Sequence, residues 1–152
     1  MLRPYLVVLA LMLSSVALSA AGGPFSGLDP KAISIRLPQD LQWKSSPGGA
    51  ESVALVGDAS KPGLYVELIK WTAHHNSRPH FHPNDRFITV ISGTWWVNTG
   101  RKYDPEHMKP VPAGSFVTHY AKEVHYDGAR DGDAILEIVG MGPETATPAE
   151  DQ

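Results

Sequence analysis

Short runs of alternating apolar and polar residues recur along the chain from residue 32 onward. Successive side chains of a strand point to opposite faces, so this period of two predicts half-buried β-strands. The runs are, in order, AISIRL, SVALVGD, GLYVELIKWTA, HFHP, RFITVIS, TWWVN, SFVTH, EVHYD and AILEIVGMG. No run after residue 21 keeps a 3.6-residue period over three turns. We therefore expect an all-β fold of about eight short strands, arranged as a sandwich or small barrel.

The segments between these runs are polar and rich in glycine and proline, as in DASKPG and GARDGD. The chain has 152 residues, enough for one ordinary domain. We assign residues 22–31 to an extended arm and residues 32–142 to the folded domain. The last ten residues, PETATPAEDQ, are too polar to fold alone, so 143–152 are predicted to be a flexible tail.

The first 21 residues have the composition of a secretory signal peptide. A basic start at Arg3 precedes the apolar run YLVVLALMLSSVALSA, and small residues follow at positions 19–21. The run is short for a membrane span, which needs about 20 apolar residues. We therefore predict that residues 1–21 are removed and that the protein is exported, either to a periplasm or to the medium.

Charge and cysteine content exclude several classes of partner. The chain carries 13 Lys and Arg against 16 Asp and Glu, without a basic cluster, so we expect neither nucleic acid nor an anionic membrane as partner. After removal of the signal peptide no membrane contact is predicted. The absence of cysteine means that stability must come from the hydrophobic core.

The most informative residues are two histidines in RPHFHPNDRFITVISG, residues 78–93. His80 and His82 project to the same side of an extended chain, about 7 Å apart along it. Two imidazoles are too few for a metal site, and His125, which follows a predicted turn, is the best third ligand. By the same parity Arg86 points toward the ion and Asp85 points away, unless a bulge near residue 83 reverses the two.

These residues resemble the two motifs of the cupins. The first motif is G-x5-H-x-H-x3-4-E-x6-G, and His80, His82 and Gly93 fit its spacing. His125 takes the place of the histidine in the second motif, P-x-G-x2-H-x3-N. The resemblance implies a single cupin double-stranded β-helix, or jelly-roll barrel, with His80, His82 and His125 as metal ligands on its inner wall.

The chain departs from both motifs at several positions. Arg86 stands where the first motif has its glutamate ligand, and His74 stands where it has its leading glycine. In the second motif, Tyr120 and Lys122 replace the proline and the glycine. His74, Asp85 and His119 are further candidates for an extra ligand or for a contact to a ligand.

A buried divalent ion beside Arg86 requires negative charge. Either Asp85, Asp127 or Glu123 supplies it, or the site is built for an anionic substrate that Arg86 orients. The resemblance implies a dioxygenase-type oxidoreductase that uses one divalent transition metal, with iron or copper favoured and zinc, manganese or nickel as alternatives.

Two other functions fit the same residues. One is a non-redox metal-dependent lyase, isomerase or hydrolase, and the other is a non-catalytic module that binds a small ligand or sugar. The partner in each case is a small molecule. We also expect a homodimer, in which a partner covers an edge strand formed by GLYVELIKW.

Overall fold

The computed structural model describes residues 25–46 and 48–151. The predicted signal peptide, residues 1–21, lies outside this part of the chain, as do the first residues of the predicted arm. The chain divides into two compact units, with the boundary after residue 37. In the first unit, residues 25–37 contain turns and no strand, so the strand predicted for AISIRL is wrong. Ile33 and Ile35 are exposed there, because alternation alone does not supply a neighbouring strand to pair with.

The second unit is built from eleven strands in two antiparallel sheets. The strands are β1 (Lys44–Ser45), β2 (Ala50–Val56), β3 (Gly63–Trp71), β4 (His80–Phe81), β5 (Arg86–Ser92), β6 (Thr94–Thr99), β7 (Lys109–Pro112), β8 (Phe116–His119), β9 (His125–Gly128), β10 (Ala134–Gly142) and β11 (Thr147–Pro148). The larger sheet has the order β1-β2-β3-β10-β5-β8 and the smaller one β11-β4-β9-β6-β7. Short 3₁₀ turns lie at Pro38–Asp40 and Pro105–His107. The predicted all-β class is confirmed.

The core consists of the inward-facing residues of both sheets. Its buried members are Tyr65, Trp71, Ile88, Val90, Trp95, Ala129, Ala134, Leu136 and Ile138. Trp95 and Trp96 point to opposite faces, as adjacent strand residues must. Trp95 is fully buried, whereas Trp96 lies under the guanidinium of Arg130, 4.2 Å from the ring centre. No helix among the described residues is long and apolar enough to cross a membrane.

Three sequence-based predictions need correction. GLYVELIKW forms β3, which is not an edge strand because it pairs with β2 and β10 on its two sides. The predicted loop at 99–114 contains strand β7, which tolerates Pro110 and Pro112 because it pairs only with β6. The tail predicted to be flexible is ordered over residues 143–151, with β11 paired to β4.

Within the described part of the chain, two non-glycine residues adopt a left-handed backbone conformation. His74 has φ 65° and Lys122 has φ 66°. Both stand where the cupin motifs have glycine, the residue that adopts this conformation at least cost. The backbone of both turns therefore keeps the shape that the motifs require, although the glycines are absent. The Lys122 turn is tied to the neighbouring segment, because its N–H donates to the carbonyl of His82 over 2.8 Å.

Candidate metal centre

Strand register brings the three predicted ligands together. His80 on β4 and His125 on β9 are directly opposite partners, so their side chains project from the same face of the smaller sheet. His82 follows two residues after His80 and returns to that face. One ring nitrogen of each histidine lies within 4.8 Å of the others, and Nε2 of His80 is 3.1 Å from Nε2 of His82.

Backbone carbonyls determine which nitrogen of each ring carries a proton. Nδ1 lies 2.8 Å from the Arg78 carbonyl in His80, 3.0 Å from the Thr145 carbonyl in His82 and 3.1 Å from the Glu123 carbonyl in His125. A carbonyl oxygen can only accept a hydrogen bond, so each Nδ1 is the donor. The three Nε2 atoms are left with lone pairs that converge on one region.

This donor set fits a divalent transition metal. Imidazole nitrogens bind such ions at about 2.0–2.1 Å, which places neighbouring ligand nitrogens roughly 3.0–3.4 Å apart. The 3.1 Å separation of the His80 and His82 Nε2 atoms falls in that range. Nε2 of His125 is buried without a hydrogen-bond partner among the described residues. Facing lone pairs repel one another, so a cation bound between them would stabilise the cluster.

Burial keeps two of the imidazoles neutral. It lowers the pKa of His80 and lowers the pKa of His125 to about 4, although the Asp127 carboxylate opposes the shift in both residues. A neutral imidazole is the form that binds a metal ion, so protons compete little for these ligands near neutral pH.

The arginine that replaces the motif glutamate points into the site. Its Nη1 lies 2.6 Å from Nε2 of His82, and the side chain is 11% exposed. Asp85 is exposed and accepts a hydrogen bond from the N–H of Ala121 over 2.7 Å. Arg86 therefore points toward the histidines and Asp85 does not, as the alternation of side chains along an extended chain predicts.

Two carboxylates that the sequence analysis did not single out lie next to this group. Glu67 Oε1 is 4.0 Å from Nη2 of Arg86. Burial raises the pKa of Glu67, and the nearby guanidinium opposes that shift. Glu144 contacts Nδ1 of His82, and neither of its oxygens has a hydrogen-bond partner among the described residues. Glu67 is recognisable in retrospect as a charged residue at an inward position of β3, whereas Glu144 belongs to the segment predicted to be a flexible tail.

The other predicted sources of negative charge differ in their position. Asp127 is buried and lines the cavity beside the histidines, where its Oδ1 accepts a hydrogen bond from Ser77 Oγ over 3.0 Å. The Glu123 side chain is exposed, and only its backbone carbonyl contacts a ligand. Three carboxyl groups, those of Glu67, Glu144 and Asp127, could therefore balance the charge of Arg86 and of a divalent ion bound by the histidines. A substrate anion is not required for neutrality.

Of the two remaining candidates, His119 lies beside the three histidines and His74 does not join them. The ring of His119 lies 3.7 Å from that of His125, measured between centres, so His119 borders the cluster. Burial, with the neighbouring His125 and Arg86, lowers the pKa of His119 to about 2, and its Nδ1 has no hydrogen-bond partner among the described residues. His74 is exposed, and its backbone N–H donates to the carbonyl of Arg130. Among the described residues it does not join the group of possible ligands.

A cavity of about 460 Å³ opens beside the histidines. Its apolar lining comes from inward residues of the larger sheet: Ile69, Trp71, Leu136 and Ile138. His80, Arg86 and Asp127 supply polar lining. The cavity can therefore hold a small organic molecule with an apolar body and a polar group directed at the histidines.

Comparison with solved structures finds the same fold. The polyketide cyclase RemF from Streptomyces resistomycificus has a TM-score of 0.65 at 12% identity, over 79% of this chain and 87% of the cyclase. A cupin-2 domain protein from Rhodospirillum rubrum has a TM-score of 0.57 at 13% identity, over 79% and 80% of the two chains. A structure of the DMSP lyases RdDddP and RnDddQII has a TM-score of 0.57 at 14% identity, over 74% of this chain and 63% of the lyase.

By sequence, no protein-family model and no curated protein matches the chain. The structural likeness shows that the chain has the cupin fold, the double-stranded β-helix that the resemblance to the cupin motifs implied. At sequence identities this low, the comparison shows only that the fold is shared. Enzymes are among the proteins that share it, namely the cyclase and the lyase.

Proposed function

We propose that this protein is a mononuclear metal-dependent enzyme that acts on a small organic substrate. The observation that carries the proposal is the convergence of three Nε2 lone pairs, each fixed by an Nδ1–H bond to a backbone carbonyl. A divalent ion held there supplies Lewis acidity and open coordination positions, together with redox chemistry toward O₂ if the ion is iron or copper.

The cavity supports a proposal about the substrate. Its apolar walls at Ile69, Trp71 and Leu136 suit a compact hydrocarbon body, and Arg86 lies at the end nearest the histidines. A guanidinium binds a carboxylate or an enolate by charge-assisted hydrogen bonds. We therefore propose a small organic acid or enol, with its anionic oxygen directed toward Arg86.

The residues that act on the substrate determine the reaction type. The sequence-based expectation of a dioxygenase stays a prediction, and it requires only the ion, the cavity and Arg86. Glu67 favours a second candidate, a lyase or isomerase that moves a proton without using O₂. Burial raises the pKa of Glu67, the direction that favours a general base, and Glu67 lies beside Arg86.

Turnover with and without O₂ separates the two candidates. Protein loaded with iron, copper, zinc or manganese would be screened against small organic acids, with O₂ uptake and product mass as the readouts. An oxygenase consumes O₂ and stops under nitrogen. A proton-transfer enzyme turns over under nitrogen and loses activity in Glu67→Gln when assayed at a metal concentration that saturates the variant, whereas Glu137→Gln on the outward side of β10 serves as the control.

Two results would contradict the proposal. One is the lack of turnover with every metal, and the other is ligand binding that survives removal of the ion by a chelator. The second would identify a binding module instead. Export of the protein remains a prediction, which N-terminal sequencing of the protein secreted by an expression host would test.

A further inference from the structure

Arg86 makes an unusual contact for a buried arginine. Its guanidinium donates to Nε2 of His82 over 2.6 Å, and its Nε has no hydrogen-bond partner among the described residues. A carboxylate, the strongest partner for a guanidinium, lies just beyond hydrogen-bond distance at Glu67, 4.0 Å from Nη2. The guanidinium is therefore directed at a histidine although a carboxylate is nearby.

The atom that Arg86 contacts is the one a metal would need. Nδ1 of His82 carries the proton, so Nε2 has a single lone pair to offer. A guanidinium and a metal ion cannot use that lone pair at the same time, and two cations this close repel each other. The guanidinium thus acts on His82 as an internal cation, which offsets part of the repulsion between the converging lone pairs.

We infer that Arg86 competes with the metal ion for His82 and turns toward Glu67 when the ion binds. This inference rests on the proposed metal site and adds a role for the residue that replaces the motif glutamate. Loading of the ion then frees the guanidinium, so that the group proposed to bind the substrate anion becomes available only in the loaded protein. Arg86 weakens metal binding by the free energy of the contact that must be broken.

Zinc affinity tests the competition directly. Zn²⁺ binding to the purified protein would be measured against a chromophoric chelator in wild type and in Arg86→Met, which keeps the length and apolar stem of the side chain. In wild type, zinc must displace the hydrogen bond that the Arg86 guanidinium donates to His82, and the variant lacks this bond. Because a hydrogen bond from a charged group is one of the stronger kinds, we expect the variant to bind zinc about tenfold to a hundredfold more tightly. Arg130→Met is the matched control, because the Arg130 guanidinium lies over Trp96 and does not line this cavity, and its zinc affinity should equal that of wild type.

Glu67 provides a second test. Glu67→Gln removes the proposed partner of the displaced guanidinium, so it should weaken zinc binding in wild type. In the Arg86→Met background the same substitution should have a clearly smaller effect, because no guanidinium needs a partner there. Equal effects in both backgrounds would show that the two residues are not coupled and would contradict the inference.

A third readout follows the Arg86 guanidinium in the wild-type protein. In ¹⁵N-labelled wild type, the Nε–H signal of Arg86, assigned by its absence from an Arg86 variant, should shift when zinc saturates the site. An unchanged signal overturns the inference. Equal zinc affinity in wild type and Arg86→Met also overturns it and leaves the proposed function standing, whereas no zinc binding in either protein overturns both.

Discussion

His82 connects the centre to the rest of the protein through its two ring nitrogens. Nε2 faces the other ligands and Arg86, while Nδ1 donates to the Thr145 carbonyl and contacts the Glu144 carboxylate. Partners on the outer nitrogen of a metal-ligating histidine fix the ring orientation and raise the basicity of the ligand. The C-terminal segment therefore contributes to the centre through these two residues.

Replacement of Glu144 tests this contribution at the residue scale. Glu144→Gln keeps the shape of the side chain but removes the charge beside Nδ1 of His82. We expect zinc affinity to fall about tenfold or more, in line with the effect of such substitutions at other metal sites. The measurement is the same chelator competition, with Glu150→Gln as the control, because Glu150 pairs with the exposed Arg78 instead. Equal affinity in the two variants would mean that the carboxylate does not support the ligand.

At the scale of elements, the connection from β5, which begins at Arg86, to β6 in the other sheet depends on one glycine. Gly93 has φ 75°, and a Cβ built there would lie 2.1 Å from the backbone oxygen of Asp133. Both the backbone conformation and this close approach to the turn before β10 exclude a side chain.

Gly93→Ala should therefore lower the free energy of unfolding by about 2 kcal/mol or more, because a left-handed alanine alone costs roughly 1–2 kcal/mol and the clash adds to it. Gly132→Ala, in the adjacent turn, is the matched control, since a Cβ there meets nothing within 4 Å. Its unfolding free energy should stay within about 0.5 kcal/mol of wild type. Urea titration measures both, and similar values for the two variants would refute the packing argument.

The elements also show what the sequence could predict. Alternation predicted the long strands because each buries one face, and β5 matches the predicted RFITVIS over its full length. It missed β11, a pair of residues whose partner strand β4 lies more than sixty positions away. Alternation also missed β7, because the two prolines in this edge strand are more typical of a loop. Short strands of this kind depend on tertiary pairing and leave little local pattern.

The same distinction applies to the site. The sequence grouped His80 and His82 and directed Arg86 inward because side chains alternate along an extended chain. It added His125 because that residue occupies the histidine position of a known motif. The Glu144 contact depends on where the chain runs after β10, which no local pattern specifies. His74 was a candidate for an extra ligand, but its backbone is left-handed and its side chain is exposed.

At the scale of the whole molecule, the outer face of the larger sheet carries several exposed apolar side chains. Phe87 and Phe116, on neighbouring strands, stack with their ring centres 6.4 Å apart, and Phe116 is 66% exposed. Leu64 and Met141, which pair across β3 and β10, are also exposed. A second copy of the chain offers the same apolar face, so a two-fold dimer would cover both.

We therefore propose that the expected homodimer forms through this face instead of through an edge at β3. Light scattering at micromolar concentration should give twice the mass of the chain, and Phe116→Asp should shift the protein to a monomer without loss of strand content in circular dichroism. A monomeric wild type at that concentration would contradict the prediction.

The central claim is that the three converging histidines bind one metal ion. Mass spectrometry of metal content, on protein produced with several metals available, tests it most directly. We predict about one equivalent of a transition metal in wild type, iron or copper if the enzyme is an oxygenase. The metal should be lost in His82→Ala and retained in His107→Ala, whose ring is exposed and pairs with Asp104. Wild-type protein without metal after loading, or metal retained in His82→Ala, would contradict the account.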